Sequence, residues 1–338
     1  MSDNEDPNIF FDEKGMCNYC LDFKIKDKQR RLQKQELPWI IHEMKKQKGY
    51  HCLLGLSGGV DSATCLHYLA EQGIKPMCFS VDNGWQTPEA QENIMRLVEG
   101  LKVPYYRYNI NVERFRELQE AFINAGLKNV EIPTDHILMA TTYEMADKYG
   151  IKYIISGGNL ATEGIMPEHF GYNARDLTHL RGVYKKMIGK KLKGLPVISL
   201  LKYIYYRFIK GIKIINLLDY YEYNRDNSIK MLSEKYGYKP YGEKHGESQF
   251  TNWFQSVYLF HVCKLDKRIP HLSSMINSGQ ISREKSLEIT SVYPNPSMNL
   301  LQVTGIRMPA NLSPNDYKDY PNSEYWWNLW AKIYKCFK

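Results

Sequence analysis

Leu56-Ser57-Gly58-Gly59-Val60-Asp61-Ser62 is the stretch of sequence that decides the fold. The apolar run 52–56 leads into it and is typical of a short, buried parallel strand. Apolar positions at helical spacing then predict a helix that stops at Gly73. The two consecutive glycines let the backbone turn sharply and present successive N–H groups to one point. The sequence thus predicts a strand, a tight glycine loop and a helix.

The same alternation continues to about residue 175. Runs 77–81, 105–110 and 153–155 predict three further strands, and Thr87-Pro88 predicts a helix with a threonine N-cap and proline at its first position. Strands that alternate with helices predict an α/β fold, a parallel sheet with helices on both faces. Beyond that point the alternation fades, and the rest of the chain is predicted to be mainly helical.

Three regions follow from this pattern. Residues 1–48 form an N-terminal segment with a cysteine pair and a basic helix, which Pro38 interrupts. Residues 49–180 form the α/β domain. Residues 181–338 form a mainly helical region that is expected to contact substrate or partners.

The composition is that of a soluble globular protein, with 43% hydrophobic and 24% charged residues in a chain of 338. The net charge of +8 suits either a polyanionic partner or nucleotide ligands. No secretory signal is recognised and several cysteines lie in apolar runs, so we expect buried thiols and a reducing, cytoplasmic setting. Cations interrupt the apolar segment 195–221, so no membrane span is expected.

The glycine loop suits a phosphate group. The helix that begins near Asp61 adds its positive end to the exposed N–H groups of the loop. No Gly-Lys-Ser/Thr follows, so the loop is not a Walker A motif, and its glycine spacing is not that of a Rossmann loop. A bare glycine pair would equally fit a tight turn without a ligand, whereas the whole string Ser-Gly-Gly-Val-Asp-Ser after a first strand is far more specific.

This string resembles the signature of the ATP pyrophosphatase (PP-loop) superfamily. The resemblance implies cleavage of ATP between its α- and β-phosphates, with Asp61 as a ligand of Mg²⁺. It implies that the β- and γ-phosphates are held by Ser57, Gly58, Gly59, Val60, Asp61 and Ser62. It also implies that Val81 and Asp82 contact adenine and ribose, with a simple turn at Asp82-Asn83-Gly84 as the alternative.

A second glycine pair follows the fourth predicted strand, in Ser156-Gly157-Gly158-Asn159. Open α/β sheets bind ligands outside the carboxyl ends of their strands, where both glycine loops are expected to lie. We therefore predict that Gly157, Gly158 and Asn159 share in the nucleotide site, with an ordinary loop as the alternative.

Further stretches narrow the resemblance. They are Pro133-Thr134-Asp135-His136, Gly158-Asn159-Leu160-Ala161-Thr162-Glu163, Lys244-His245-Gly246-Glu247-Ser248, Asp266-Lys267-Arg268 with His271-Leu272-Ser273, and Gly279-Gln280-Ile281-Ser282-Arg283-Glu284. Taken in this order they resemble the N-acetyl sugar amidotransferases, PP-loop enzymes of bacterial surface-glycan biosynthesis, which include lipopolysaccharide O-antigen biosynthesis. The likeness runs from about residue 6 to residue 287.

The resemblance implies a reaction. ATP adenylates the amide oxygen of an activated acetamido sugar, often one linked to a nucleotide. Ammonia then displaces AMP and leaves an acetamidino group. Because transfer of AMP builds up negative charge, a lysine is expected to stabilise it, with Lys244 as the first candidate and Lys267 and Arg268 as competitors.

The resemblance also implies roles for individual side chains, each with a structural salt bridge or cap as the alternative. Catalytic roles are implied for Asp61, Lys244, Glu163 and His136. Contacts with the sugar substrate are implied for His245, Glu247, Ser248, Lys267 and Arg268.

The source of ammonia is expected to lie outside this chain. Ser2 follows Met1, and none of the seven cysteines lies in a Gly-x-Cys-x-Gly elbow, so no cysteine has the context of a glutaminase nucleophile. We therefore predict that the chain does not hydrolyse glutamine by itself. The resemblance implies two partners, a separate glutaminase and a barrel subunit like that of histidine biosynthesis.

Cys17-Asn18-Tyr19-Cys20 is a C-x-x-C pair. It fits either half of a four-ligand zinc site or two free thiols on a turn. Members of the family usually carry a second C-x-x-C just upstream, where this chain has only residues 1–7. Zn²⁺ binding at Cys17 and Cys20 therefore remains one of two alternatives.

Two other functions are compatible with the sequence. A tRNA-modifying PP-loop enzyme of the thiolase or lysidine synthase type would use the same loop, and the basic runs 24–34 and 185–193 favour it. Against it, the sequence lacks paired C-x-x-C sites and an obvious RNA-binding appendage. A non-enzymatic nucleotide-binding scaffold is disfavoured by the intact Asp61.

Aromatic and aliphatic residues recur at helical spacing near the end of the sequence, at Trp326, Trp330, Ile333 and Phe337. Such a face either covers the protein's own core or docks onto a partner or a membrane surface.

Overall fold

The sheet at the centre of the molecule has five parallel strands in the order β3-β2-β1-β4-β5. The computed structural model describes residues 1, 6, 8–241, 246–294, 300–307 and 314–336. The strands are β1 (Cys52–Gly55), β2 (Pro76–Asp82), β3 (Tyr105–Asn109), β4 (Tyr153–Ser156) and β5 (Lys213–Asn216).

The order of the strands reverses beside β1. The chain moves outward from β1 through β2 to β3 and then returns to the other side of β1 with β4 and β5, so that Leu54 pairs with Cys78 on one side and with Ile155 on the other. In open α/β sheets this reversal leaves a crevice at the carboxyl ends of the strands. The loops that follow β1 and β4 therefore lie side by side.

Helices cover both faces of the sheet. In β1 the side chains of Leu53 and Leu54 point to opposite faces, and each is fully buried in a separate apolar core. Leu53 packs in a core that includes Ile137 and Tyr143, whereas Leu54 packs in a core that includes Leu66. A strand covered on both faces is apolar throughout, which explains the unbroken run in the sequence.

Fifteen α-helices are present in the described residues. They are α1 (Asn18–Gln33), α2 (Leu37–Lys45), α3 (Val60–Glu71), α4 (Pro88–Leu101), α5 (Val112–Asn124), α6 (Ile132–Lys148), α7 (Leu160–Glu163), α8 (Leu177–Ile188), α9 (Leu200–Ile204), α10 (Arg225–Tyr236), α11 (Gln249–Trp253), α12 (Arg268–Asn277), α13 (Arg283–Ser291), α14 (Leu300–Thr304) and α15 (Glu324–Cys336). Two π-helical segments, Tyr205–Ile209 and Phe254–Val262, continue α9 and α11.

The expected α/β fold with a mainly helical C-terminal region is confirmed, as are the four predicted strands. Thr87 is the N-cap of α4, and its hydroxyl accepts a hydrogen bond of 3.2 Å from the N–H of Ala90. Pro38 lies in the first turn of α2, and a 3₁₀ turn, Lys34–Glu36, lies between α1 and α2. Proline has no N–H to donate, and a first-turn N–H needs no partner within the helix.

One strand was not predicted. β5 pairs in parallel with β4, with Lys213 opposite Tyr153, so the sheet extends past residue 180, the expected end of the α/β domain. The strand has only four residues and sits at the edge of the sheet within a long basic and apolar stretch. So short an apolar run cannot be assigned to strand or helix from its periodicity.

Candidate active site

The glycine loop connects β1 to α3 in a conformation that only glycine adopts easily at position 58. Gly58 has a φ of +86°, and a β-carbon built there would lie 2.4 Å from the carbonyl oxygen of Ala90 in α4. The hydroxyl of Tyr238 donates to the Gly58 carbonyl at 3.1 Å. The loop is therefore held against α4 on one side and against the segment after α10 on the other.

The serines of the loop fix its curvature. The hydroxyl of Ser62 donates to the carbonyl of Gly59 at 3.1 Å, and the N–H of Gly59 donates to the hydroxyl of Ser57 at 3.1 Å. The two serine hydroxyls lie 3.3 Å apart. The predicted strand, loop and helix are thus present, with both serines turned into the loop.

The two glycine loops touch. A β-carbon at Gly157 would lie 3.2 Å from the β-carbon of Asp61 and 3.2 Å from the backbone nitrogen of Ser62. The carboxylate of Asp219 accepts from the N–H of Leu160 at 2.7 Å and thereby anchors the start of α7. Asn159 caps the same helix by accepting from the N–H of Thr162 at 2.9 Å. The predicted neighbourhood of the two loops is therefore present, although Asn159 itself serves as a cap.

Two neighbouring cavities open over the loops. The smaller has a volume of about 240 Å³, and Gly59, Asp61, Gly157 and Gly158 form part of its wall. The larger has a volume of about 680 Å³ and extends over the ends of β1 and β2. Four residues line both cavities, namely Gly55, Ser57, Glu163 and Glu247.

The carboxylate of Asp61 has a tyrosine donor. The hydroxyl of Tyr223 donates to Oδ1 of Asp61. Burial, together with the charge of Asp61, raises the pKa of Tyr223 far above its usual value, so that Tyr223 stays protonated and donating. Nothing in the sequence singled out Tyr223, because it lies 162 residues from Asp61 in a chain with 26 tyrosines.

Glu247 reaches the glycine loop from the C-terminal region. Its Oε1 would lie 2.9 Å from a β-carbon at Gly59, and its Oε2 accepts from the hydroxyl of Tyr241 at 3.2 Å. Its carbonyl accepts from the N–H of Thr87 at 3.0 Å, in a short antiparallel contact that also pairs Gln86 with Ser248. This contact brings a distant part of the chain to the glycine loop, and the sequence alone does not indicate that the two parts are close in space.

Arg225 is a cation in the wall of the smaller cavity. It is the first residue of α10, and its backbone N–H donates to Oε1 of Gln280 at 3.0 Å. The sequence around it resembles an ordinary helix start with Asn224 as N-cap and does not indicate a site residue. Lys244 and His245, for which the sequence predicts site roles, lie outside the described residues.

The residues of the stretch Pro133-Thr134-Asp135-His136 lie on α6, and their side chains point in different directions. Thr134 and Asp135 line the larger cavity together with Glu131, the residue just before α6. His136 points the other way and is fully buried. Its Nδ1 lies 2.7 Å from the carbonyl of Ala174, and its Nε2 accepts from the N–H of Ile198 at 3.2 Å. Because both ring nitrogens are used in the core, the catalytic role expected for His136 does not fit this placement.

We expect acid to destabilise the protein through His136. Burial lowers the pKa of the His136 imidazole to about 4, below its ordinary value of about 6.5, so between these values the unfolded chain binds a proton that the folded chain does not. The contribution of His136 is complete above the ordinary value and is lost as pH falls toward the folded value. The free energy of unfolding should thus fall by about 2 kcal/mol between a pH of about 7 and about 5 from this group alone.

Urea unfolding at several pH values measures this loss. His136→Gln has no titrating group at this position, so its free energy of unfolding should depend less steeply on pH than that of the wild type. Equal pH slopes in the two proteins would contradict the assignment.

The remaining predicted residues divide between the cavity and the scaffold. Ser248 and Lys267 line the larger cavity, and Val81 lines it at the end of β2. Asp82 instead pairs with Arg107 at 2.7 Å and accepts from the N–H of Gly84 at 3.1 Å, as a turn residue does. His271, for which the sequence predicts no role, also lines the larger cavity.

Arg268 belongs to the scaffold. Its guanidinium forms a bidentate ion pair with Asp266, and its Nη1 donates to the carbonyls of Ile289 at 3.1 Å and Val292 at 2.8 Å. These contacts tie α12 to the end of α13. The substrate contact expected for Arg268 is therefore replaced by a structural one, because the neighbouring helix end offers carbonyl groups that need donors.

The cysteine pair lies at the start of α1. The sulfur atoms of Cys17 and Cys20 are 3.4 Å apart, and the amide of Asn277 donates to the sulfur of Cys20 at 3.3 Å. Within the described residues, no three His, Cys, Asp or Glu side chains are grouped so that they could hold a metal ion. The described part of the chain also has no helix that is both long and apolar enough to cross a membrane.

The C-terminal region of the chain matches a family model, and another part of the comparison identifies a partial relative. Residues 247–334 match the family model described as LPS biosynthesis protein WbpG-like, C-terminal domain. An uncharacterized protein of Methanocaldococcus jannaschii, MJ1599, is 30% identical over 157 residues, which cover 45% of this chain and 54% of that protein. The chain therefore spans about half the length of this relative.

Three solved structures are similar to this chain. NMN synthetase from Francisella tularensis is 15% identical, with a TM-score of 0.35, over 76% of this chain and 95% of that chain. NH3-dependent NAD synthetase from Campylobacter jejuni is 19% identical, with a TM-score of 0.31, over 44% and 62%. U34-tRNA thiolase NcsA from Methanococcus maripaludis is 11% identical, with a TM-score of 0.35, over 79% and 86%.

The family match falls on the part of the chain that carries Glu247, Ser248 and Lys267 to the larger cavity. The sheet order and the touching glycine loops provide the other half of the site. Through residues 247–334 the chain is similar to the C-terminal domain of WbpG-like lipopolysaccharide biosynthesis proteins, which confirms the resemblance to surface-glycan biosynthesis proteins over that region.

Proposed function

We propose that this chain is an ATP-dependent amidotransferase that converts the acetamido group of an activated sugar into an acetamidino group, in lipopolysaccharide O-antigen or other surface-glycan biosynthesis. One observation carries the proposal. The two glycine loops line the smaller cavity, or smaller chamber, and Glu163 and Glu247 line both it and the larger cavity, or larger chamber. A nucleotide and a second substrate can therefore lie end to end, with their reacting groups near these two carboxylates.

The smaller chamber suits the β- and γ-phosphates of ATP. Backbone N–H groups at the start of α3 and the positive end of that helix favour an anion there, and Arg225 adds a cation at the wall. Asp61 offers carboxylate oxygens, the ligands that Mg²⁺ prefers, and this metal is usually held by one or two carboxylates together with phosphate oxygens. When bound, Mg²⁺ would offset the charge of the departing pyrophosphate.

The larger chamber suits the adenosine of ATP and the acetamido end of a sugar. Its volume of about 680 Å³ lies in the range of known small-molecule sites. Phe79 and Val81 provide an apolar wall at the end of β2, which is appropriate for adenine. Asp135 and Lys267 stand on other parts of the wall and can form hydrogen bonds with sugar hydroxyls.

The reaction then has two displacements. The amide oxygen attacks the α-phosphorus, and the bond to the β-phosphate breaks so that pyrophosphate leaves with the electron pair. Ammonia next adds to the imidate carbon and loses a proton, and the carbon–oxygen bond to AMP breaks to leave the amidine. Glu163 and Glu247 border both chambers, so either can accept the proton that the incoming ammonia loses.

Mass spectrometry of nucleotide-linked acetamido sugars tests this function directly. After incubation with the protein, ATP, Mg²⁺ and ammonium, one sugar of the panel should exchange its amide oxygen for NH. AMP and pyrophosphate should form in equal amounts, one of each for every amidine. ADP and orthophosphate as products would contradict the proposed cleavage between the α- and β-phosphates.

The source of nitrogen provides a further expected result. The chain alone should turn over with high ammonium and should give no product with glutamine, because no cysteine has the context of a glutaminase nucleophile. Addition of a separate glutaminase and a barrel subunit of the histidine-biosynthesis type should restore the use of glutamine. Glutamine-dependent turnover by the purified chain would contradict the prediction that a separate glutaminase supplies the ammonia. AMP formation that requires tRNA would favour the tRNA-modifying alternative.

A further inference from the structure

A second surface of the molecule lies apart from the two chambers. It is formed by α9 with its π-helical continuation Tyr205–Ile209, and by the outward side of α15. Large apolar side chains stand in solvent there, with Leu201 78%, Ile209 74% and Trp326 59% exposed. We call this surface the apolar face, and its members are Leu201, Tyr205, Ile209, Trp326, Leu329 and Ile333.

The two helical segments form one continuous support. The rings of Tyr203 and Trp327 lie 5.6 Å apart, and those of Phe208 and Trp330 lie 5.1 Å apart. Leu201 and Trp326 line the same groove. The apolar face is therefore one surface built from two segments that are distant in sequence.

The exposed side chains of the apolar face are not needed to hold α15 against the rest of the protein. Trp327 is only 5% exposed, so the inward side of α15 already covers the core. The predicted set Trp326, Trp330, Ile333 and Phe337 is thus divided: Trp330 is half-buried against Phe208, which is itself exposed, Trp326 and Ile333 are exposed, and Phe337 lies outside the described residues. A large exposed apolar patch that the core does not need marks a binding surface.

The distribution of charge along the chain indicates the chemistry of the surface that would bind the apolar face. Residues 177–218 contain no Asp or Glu, and their ten cations are Arg181, Lys185, Lys186, Lys190, Lys191, Lys193, Lys202, Arg207, Lys210 and Lys213. Because the whole chain carries +8, the remaining residues sum to −2. The positive charge of the protein is therefore concentrated in the segment that supplies half of the apolar face.

Some of these cations adjoin the apolar face directly. Arg181 lines the groove beside Leu201 and Trp326. Lys202 and Lys210 flank the exposed side chains of α9 and its continuation, and they pair with Glu144 and Asp147 of α6. Lysine and arginine next to exposed tryptophan, tyrosine and leucine are typical of helices that lie in the plane of an anionic membrane surface.

We propose that the apolar face binds an anionic membrane surface, with the apolar side chains at the level of the headgroups and acyl chains and the flanking cations at the lipid phosphates. A peripheral attachment of this kind needs no spanning helix, because α9, its continuation and α15 would lie along the membrane. It is independent of the reaction proposed for the two chambers.

Co-sedimentation of the full chain with lipid vesicles tests the proposal. The protein should sediment with vesicles that contain phosphatidylglycerol and should remain in solution with vesicles of phosphatidylcholine alone. Added salt should weaken the binding, because part of it is electrostatic. Removal of one contacting cation, as in Arg181→Gln, should weaken it about fivefold.

Two double variants at residues of similar exposure distinguish binding through the apolar face from non-specific binding through any exposed apolar residue. Ile209→Ser with Trp326→Ser should weaken vesicle binding by at least about tenfold. Leu32→Ser with Leu287→Ser changes residues that are 64% and 53% exposed on other parts of the surface, and should leave binding unchanged. Both variants should keep the circular dichroism spectrum and ATP turnover of the wild type.

Three results would overturn the proposal. The first is no binding to anionic vesicles at low salt. The second is equal binding by the two double variants. The third is a concentration-dependent oligomer in sedimentation velocity that only the Ile209/Trp326 variant loses, because the apolar face would then join copies of this chain.

Discussion

Asp61→Asn should lower the rate of AMP and pyrophosphate formation about 10²–10³-fold while the protein stays folded. Asparagine has the size of aspartate and keeps an oxygen that can accept from the hydroxyl of Tyr223. It lacks the charge that a carboxylate contributes to binding of Mg²⁺ beside a polyphosphate. Initial rates of pyrophosphate release, measured at saturating ATP and Mg²⁺, would give the loss.

Tyr223→Phe is the matched control for this prediction. It removes the hydroxyl that orients Asp61 and leaves the carboxylate charge in place, so we expect a loss of about tenfold. A small effect of Asp61→Asn, or a larger effect of Tyr223→Phe, would show that orientation rather than charge governs the site. A thermal unfolding scan of both variants separates loss of activity from loss of fold.

Gly58→Ala should abolish detectable turnover and lower the free energy of unfolding by about 3 kcal/mol or more. Alanine disfavours the positive φ of +86°, and its methyl group would meet the backbone oxygen of Ala90 at 2.4 Å. Neither the strand nor α4 can move away without disturbing the core. The glycine loop would therefore have to open, and its N–H groups would lose their common direction.

Gly189→Ala is the control that separates the cost of the steric contact with Ala90 from the cost of a positive φ. Gly189 also has a positive φ, +76°, at the end of α8, but a β-carbon there meets nothing within 4 Å. We expect a cost of about 1 kcal/mol and normal turnover for this variant. Urea unfolding of both variants gives the comparison, and equal costs would mean that the contact with Ala90 is not rigid.

Local sequence patterns predicted the elements whose conformation depends on residues that are close together in the chain. The run that became β1 is buried on both faces, and a strand of this kind is recognisable because every side chain is apolar. The glycine loop could also be located, since its conformation depends on adjacent residues. β5 could not be predicted, because four residues at a sheet edge have no distinctive periodicity.

The site could be predicted only in part, because its walls come from distant segments. Arg225 and Tyr223 reach the glycine loop through the packing of α10 and the segment before it, and no local spacing indicates that contact. Thr134 and His136 show a different difficulty. A stretch that resembles a family motif contains both cavity and core residues, and only the phase of α6 distinguishes them.

The contact of Glu247 with Thr87 has a consequence for how such an enzyme can be divided. The carbonyl of Glu247 pairs with the backbone just before α4, and its carboxylate lies against Gly59, so the region that matches the WbpG-like family model completes the wall of the smaller cavity. A fragment that ends before residue 247 would retain the whole signature string but would lack one side of that cavity. If the proposed function holds, nucleotide chemistry and sugar recognition are not separable modules, and we expect that exchange of C-terminal regions between relatives would change both together.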